Sequence, residues 1–506
     1  MKNLLKLSAF FYLFFANSAL ASDSLSIKVT NALESFLLPI VSFFAFLILG
    51  GEYQFFGKTY QMDIFGFPPI VVWLIAAGVF FTFRLNFVNI RLFKHGVNVV
   101  TGKYQDKDHE SKGKISPAQS LFTAISATVG VGNIAGVAIA ISLGGPGAVI
   151  WMMIAAFFGM STKFTEVTLG QKYRKFSDGH LCAGAFYYLE DGLKEQGMVK
   201  LGKFLGKMAA ICCILGALGA GIMFQANQSV SVVVDSFGFG GLVKVAISLA
   251  LAFTIGFILL GGIVRIAHIA EKIVPFMAVI YVLMCISVLV VNFADIPAAV
   301  QIMFKSAFSD NALYGGIIGA IIQGFKRAAF SNEAGLGSAP IAHAAAKVSH
   351  PMDEGSVAIL EPFIDTIIIC FLSGLVITIT GVYAQDIGDG VLMSKGAFET
   401  VTPWFAYLLS MVVFLFAFST MLTYSYYGEQ AWNYLSKRKY IKICHIIFSS
   451  FIFIGGMIKI GTVIDLADIL FLSMAIPNII GLYIMSPIIK KELDAYIKSI
   501  KSKQEK

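Results

Sequence analysis

Eleven apolar runs decide what this chain can become. They fall near 68–90, 117–142, 146–170, 208–234, 242–261, 267–293, 312–347, 355–382, 403–435, 442–461 and 463–487. Each reaches the roughly 20 residues that a helix needs to cross a hydrocarbon core. Unpaired backbone is not tolerated in lipid, so runs of this length are expected as helices. With 57% hydrophobic residues, 13% charged residues and 46 phenylalanines, the chain has too little polar surface for a soluble protein of 506 residues. The reading is an all-α polytopic membrane protein whose first partner is the lipid bilayer. The net charge of +8 does not indicate nucleic acid, because the basic residues sit in short clusters between the runs.

Those clusters set the direction of the chain. If 68–90 runs from outside to inside, the inner segments 84–114, 171–207, 262–272, 347, 436–442 and 488–506 carry 27 Lys and Arg, and the outer ones carry six. Basic residues concentrate in cytoplasmic loops, so this orientation is expected, with the basic tail 488–506 inside the cytoplasmic membrane of a bacterium. At the N-terminus, Lys2 and Lys6 precede an apolar stretch ending at Ala19-Leu20-Ala21, the pattern of a cleaved signal peptide over 1–21. A mature chain starting outside leaves 31–50 no full crossing, so 22–67 reads as an external segment with an interfacial or re-entrant element. Cys212, Cys213, Cys285, Cys370 and Cys444 fall within or beside apolar runs and Cys182 in an inner loop, with no C-x-x-C pair. Neither a disulfide nor a structural metal is expected.

Two of the runs are interrupted. The first, introduced by Ser116-Pro117, carries "TVGVGNIAGVA" over Thr128–Ala138. The second carries Ser331, Asn332, Glu333, Gly335, Gly337, Ser338 and Pro340. Glycine weakens a helix, and a buried amide needs a partner. Unwound backbone in a membrane survives only where it lines protein or a site. Gly132 and Gly136 satisfy a G-x-x-x-G packing spacing, but the second interruption, five runs later, makes packing alone insufficient. Paired broken helices heading equal sets of spans mark inverted-repeat secondary transporters. A dinucleotide loop is excluded, because the spacing is G-x-G-x-x-x-G and no strand precedes it.

Three stretches carry a family resemblance: 115–174, 324–370 with "FSNEAGLGSAPIAHAAA", and 416–431 with "FAFSTMLTYSYYGEQA". Over about 68–487 the chain resembles the alanine or glycine:cation symporter family, usually sodium-coupled and similar in fold to the leucine transporter. The resemblance implies five plus five inverted helices, over 117–293 and 312–487, joined by an external loop at 294–311. One additional helix over 68–116, with its loop, precedes them. It implies a substrate site lined by Thr128, Gly130, Gly132 and Asn133 from the first break and Ser331, Asn332, Gly335 and Gly337 from the second. Phe224, Gln225 and Asn227, and Thr420 and Tyr424, complete that site. Family members commonly carry tryptophan where Tyr424 stands here. Sodium, the coupling ion, is implied at the carbonyls of Ser126 and Val129 and at Ser419 and Thr420, with Thr128 and Asn133 close by. Hard cations take such oxygen ligands. No organic cofactor is implied.

Charges inside the runs need neutralisation. Lys163 and Glu166 are expected to pair along one helix and snorkel. Lys326 and Arg327 are expected against Glu333, Glu361 or Asp365, as a gating or scaffold network. His343 and His350 are placed at an inner helix end. The function expected is sodium-coupled import of alanine, glycine or a similar small neutral amino acid. Proton coupling and serine or glutamine as substrate are the rivals. An enzyme is disfavoured by the lack of a catalytic motif, and a channel by the lack of a repeated filter. Oligomeric state is left open, since a monomer suffices.

Overall fold

The structure, a computed structural model, describes residues 45–46, 48–55, 58–103, 113–177, 180–259, 262–309, 316–385 and 390–504. The expected signal peptide and most of the run at 31–50 lie outside the described residues. The first strands among the described residues form an antiparallel hairpin, β1 (Gly51–Phe55) with β2 (Lys58–Met62). Then come α1 (Pro69–Arg84), two short helices α2 (Val88–Arg91) and α3 (Phe93–Val100), and the bent pair α4 (Pro117–Thr128) and α5 (Ala135–Gly144). Helix α6 (Ala148–Lys172) leads to a second hairpin, β3 (Lys175–Ser177) and β4 (His180–Cys182), and to α7 (Ala185–Glu195). Helices α8 (Val199–Ser236), α9 (Gly241–Leu259), α10 (Gly262–Val291) and α11 (Ile296–Ala307) follow. The second half holds α12 (Gly316–Asn332), α13 (Ala339–His343), α14 (Pro351–Ile379), α15 (Val391–Glu399), α16 (Phe405–Ser436), α17 (Ile441–Met457), α18 (Ile460–Leu472) and α19 (Ala475–Gln504). The fold is thus mostly helical, and the two hairpins correct the expectation of an all-α chain.

Among the described residues, seven helices are long and apolar enough to cross a membrane, and the bent pair α4–α5 makes an eighth. Helices α1 and α17 are shorter apolar helices. Large apolar side chains on α9 and α10, such as Phe257 at 70% and Val290 at 66% exposure, face outward, as lipid contact requires. Helices α4, α5, α6, α8 and α16 form the interior.

Local chemistry explains where α4 starts and stops. Ser116 caps it by accepting from the Gln119 N–H, Gln119 returns the bond to the Ser116 N–H, and Pro117 occupies the first turn. The helix ends at Val129, Gly130 is extended, and one tight turn over 131–133 leads into α5 at a bend of 59°. Asn133 stabilises the opening by accepting the Gly130 N–H at 2.9 Å. Helix α12 ends at Asn332, followed by left-handed backbone at Glu333, Gly335 and Gly337 and a restart at Ala339, with Pro340 in the first turn. Helices α8 and α14 each widen to a π-helical segment, at Ala217–Phe224 and Phe363–Cys370, both beside the breaks.

Candidate functional site

The first break is enclosed by α8, α12, α16 and α18. A side chain at Gly130 would place its Cβ 2.5 Å from the Thr420 hydroxyl and 3.2 Å from the Gln225 amide oxygen, so α16 and α8 approach the bare backbone here. The Val131 N–H donates to that Gln225 oxygen at 3.1 Å. Over Gly132 lies the Phe330 ring, 3.5 Å from where a Cβ would stand. Phe330 packs edge-on to Phe224 (5.0 Å between centroids) and Phe471 (5.3 Å), and Phe471 reaches Tyr424 (5.8 Å). The break is therefore walled by four aromatic rings, of which Phe330 and Phe471 carry no signal separating them from the many other phenylalanines of the sequence.

An oxygen cluster lies between α4 and α16, at the end of α4 where it unwinds. The Thr420 hydroxyl donates to the Ser126 carbonyl at 3.0 Å. The Ser126 hydroxyl lies 3.2 Å from the Ser419 carbonyl and 3.1 Å from the Thr423 hydroxyl. All four residues are buried. These oxygens are neutral and converge from two helices, the donor chemistry a small hard cation takes. The Thr128 and Ser419 hydroxyls bond back to their own helices, to Ala124 and Phe416 carbonyls. Thr423, which the sequence reading left out of the ion site, joins it because it lies one turn from Ser419.

The second break is organised differently from the expectation. Its backbone is held by protein groups. The Lys163 ammonium donates to the Asn332 carbonyl at 2.7 Å, the Gly337 N–H donates to Glu166 at 2.9 Å, and the Asn478 amide reaches both Glu166 (2.5 Å) and the Gly335 carbonyl (2.9 Å). Lys163 and Glu166 therefore do not snorkel as a local pair. Both are fully buried, and Lys163 forms its ion pair with Glu361 at 2.6 Å. Gly335 and Gly337 face away from the first break, toward Leu74 and Ile479 and toward Ala185 and Asn478. They supply the left-handed turn rather than a lining. Glu333, with positive φ at 59°, accepts from Tyr424 at 2.5 Å and from Ser338.

Between the breaks, Asp365 accepts from Asn133 (2.6 Å), Ser331 (2.6 Å) and Thr366 (2.6 Å), and the Asn332 amide donates to Thr366 at 3.0 Å. Asn133, Ser331 and Asn332 thus join the two breaks through α14. Asn227 is elsewhere. Its amide donates to the Gly455 and Ile458 carbonyls, anchoring the end of α17. Lys326 and Arg327 meet neither Glu333, Glu361 nor Asp365. Both pair with Asp468 on α18, Lys326 at 2.9 Å. Asp468 was missed because its run, which holds Asp465 and Asp468, contains no basic residue at helical spacing to flag a pair. His343 is buried between Glu354 and Glu361, whereas His350 lies at the start of α14, where its Nδ1 accepts from the Met352 N–H.

Comparison with known proteins gives this arrangement its context. The profile of the sodium:alanine symporter family matches residues 53–506. This chain belongs to that family. It is 41% identical over 434 residues to the sodium/alanine symporter AgcS of Methanococcus maripaludis, covering 85% of this chain and 94% of that protein. It is 36% identical to the putative sodium/proton-dependent alanine carrier protein YrbD of Bacillus subtilis, over 73% and 76% of the two chains. The probable sodium/glutamine symporter GlnT of the same organism is 34% identical, over 87% and 90%. Among solved structures, MhsT in complex with L-phenylalanine superposes with a TM-score of 0.53 at 13% identity, covering 76% of this chain and 99% of that one. That likeness is one of fold, the leucine-transporter-like fold. The chain is a multi-pass membrane symporter, not an enzyme.

Proposed function

We propose that this symporter imports alanine, glycine or a similar small neutral amino acid with sodium by alternating access around the two breaks. The observation that carries the reading is the oxygen cluster of Ser126, Ser419, Thr420 and Thr423 at the unwound end of α4, beside the bare backbone of Gly130. Ser126, Val129 and Thr420 hold sodium there with the Ser419 carbonyl. The backbone at Gly130 and Gly132, with Gln225, receives the charged ends of the amino acid. Phe224, Phe330, Tyr424 and Phe471 form the side-chain wall. The close seat of Tyr424 on Gly221, where a Cβ would fall 2.2 Å from the ring, supports a small substrate.

In this reading the membrane is crossed eleven times. α4–α5, α6, α8, α9 and α10 form the first repeat over 117–293. α12–α13, α14, α16, α17 and α18 with the start of α19 form the second over 312–487. α1 is the additional helix, and 294–311 is the external loop between the repeats. The excess of basic residues in one set of loops supports a cytoplasmic C-terminus in the inner membrane, following a cleaved signal peptide.

The test is uptake of labelled alanine into proteoliposomes under an inward sodium gradient, repeated with choline replacing sodium across a pH series and with unlabelled amino acids as competitors. Concentrative uptake that needs sodium and is competed by glycine supports the reading. Uptake indifferent to sodium but driven by a pH gradient replaces it with proton coupling, and competition by glutamine alone replaces the substrate.

A further inference from the structure

A chain of buried ionisable groups runs from the first half-helix to the second break, and the transport reading makes no use of it. Glu354 on α14 contacts the Ser120 hydroxyl of α4 and lies 2.6 Å from His343 Nδ1. His343 Nε2 contacts Glu361, the other Glu361 oxygen lies 2.6 Å from the Lys163 ammonium, and that ammonium donates to the Asn332 carbonyl. Glu354, His343, Glu361 and Lys163 are all 0% exposed.

The proton count of this chain follows from hydrogen-bond chemistry. A neutral imidazole has one N–H and one lone pair. Here both ring nitrogens face carboxylate oxygens. A neutral ring between two ionised carboxylates would set a lone pair against a carboxylate in a buried site, with one negative charge uncompensated by Lys163. Two protons are therefore shared among His343, Glu354 and Glu361. With both present, the four groups sum to zero charge. The other ionisable groups around them are Glu166 on α6, Glu333 at the second break, Asp365 on α14, Arg174, which donates to the Ala344 and Ala346 carbonyls, and Tyr427 on α16.

The position of this site gives it a consequence. The segment leading into α4 is zipped to the chain after α13: Lys114 N–H donates to the Ala345 carbonyl and Lys347 N–H to the Ile115 carbonyl, both at 2.8 Å. Gln171 of α6 donates to the His343 carbonyl at 2.5 Å. We propose that Glu354, His343 and Glu361 form an exchangeable-proton site that latches the inner half of α4, through Ser120, to α13 and α14, so that losing this proton frees the inner side to open. Raising the pH strips the proton, leaves the carboxylates facing a neutral ring, and loosens α4 and the 114–115/345–347 zipper. The inference rests on the reading that α4 moves in alternating access, but its test needs neither substrate nor sodium.

Backbone hydrogen exchange of the full chain in lipid nanodiscs, corrected for intrinsic exchange, tests it over about pH 6 to about pH 9. The wild type is expected to lose protection over 114–120 and 343–347 by up to about tenfold per pH unit once the proton leaves, the limit for one linked proton. Peptides from 241–259, on a helix with no contact to this chain of groups, should stay unchanged. In His343→Gln the same segments should exchange faster at every pH with no slope. Glu354→Gln, which removes the need for the second proton, should also abolish the slope and serves if His343→Gln does not fold. A flat wild-type profile overturns the proposal, as does a wild-type slope retained in the folded variants. Failure of alanine uptake would instead strike the transport reading and leave this result standing.

Discussion

Replacing Lys163 by methionine keeps most of the stem volume and deletes one ammonium. The structure gives that group two partners in a fully buried place: Glu361 at 2.6 Å and the carbonyl of Asn332, the last helical residue before the second break, at 2.7 Å. Breaking a buried pair by removing one partner costs about 3–5 kcal/mol, because the other charge stays behind. A carbonyl left without a donor costs about 1–3 kcal/mol. His343 still faces Glu361, so the two figures overlap and the expected loss is about 4 kcal/mol. The assay is reversible unfolding in mixed micelles as a double-mutant cycle with Glu361→Gln. The double variant should lose less than the sum of the singles, with a coupling of about 2 kcal/mol. A Lys163→Met protein as stable as the wild type, or strict additivity, would refute the idea that this pair holds the second break in shape.

Other substitutions probe other parts. Gly130→Ala should be made and inserted normally but lose uptake, because its Cβ meets the Thr420 hydroxyl at 2.5 Å; preserved uptake would show that α16 is not seated on the break. Asp468→Asn removes the carboxylate that pairs directly with both Lys326 and Arg327, leaving only the more distant Asp465, and should destabilise by about 3 kcal/mol, with partial recovery on adding Arg327→Met. His350 caps α14 through its neutral Nδ1, and burial holds it below the usual histidine range. The unfolded chain then takes up the proton first, so the cap's contribution is present above the unfolded value of about 6.5 and is lost as pH falls. His350→Asn, an acceptor at all pH, should remove that acid sensitivity in a thermal-shift series, and an unchanged acid limb would contradict the assignment.

The breaks were legible in the sequence because glycine, asparagine and proline cannot sit silently in apolar helices. Their existence does not say which way they face. Gly335 and Gly337 have the same composition whether they line a ligand or, as found, supply left-handed backbone packed against Leu74, Ile479 and Asn478. Ser126 and Thr420, which the family resemblance brings together, meet in a hydrogen bond between α4 and α16. Charge partners were read worst. Helical spacing suggested Lys163 with Glu166, but a buried ammonium takes whichever carboxylate the packing of α14 delivers, and that is Glu361. Asp468 was invisible for the same reason, its partners lying on a helix far away in sequence.

Thr420 carries the central claim, and one measurement reaches it directly. The sodium dependence of alanine uptake should be titrated in proteoliposomes containing wild type or Thr420→Val. Valine keeps the shape of the side chain and removes the hydroxyl that meets the Ser126 carbonyl. Losing one ligand oxygen worth about 1.4 kcal/mol raises the sodium concentration for half-maximal uptake about tenfold, and alanine at saturating sodium should still be carried. An unchanged sodium curve in Thr420→Val, or wild-type uptake that proceeds equally in choline, would contradict a sodium site between α4 and α16.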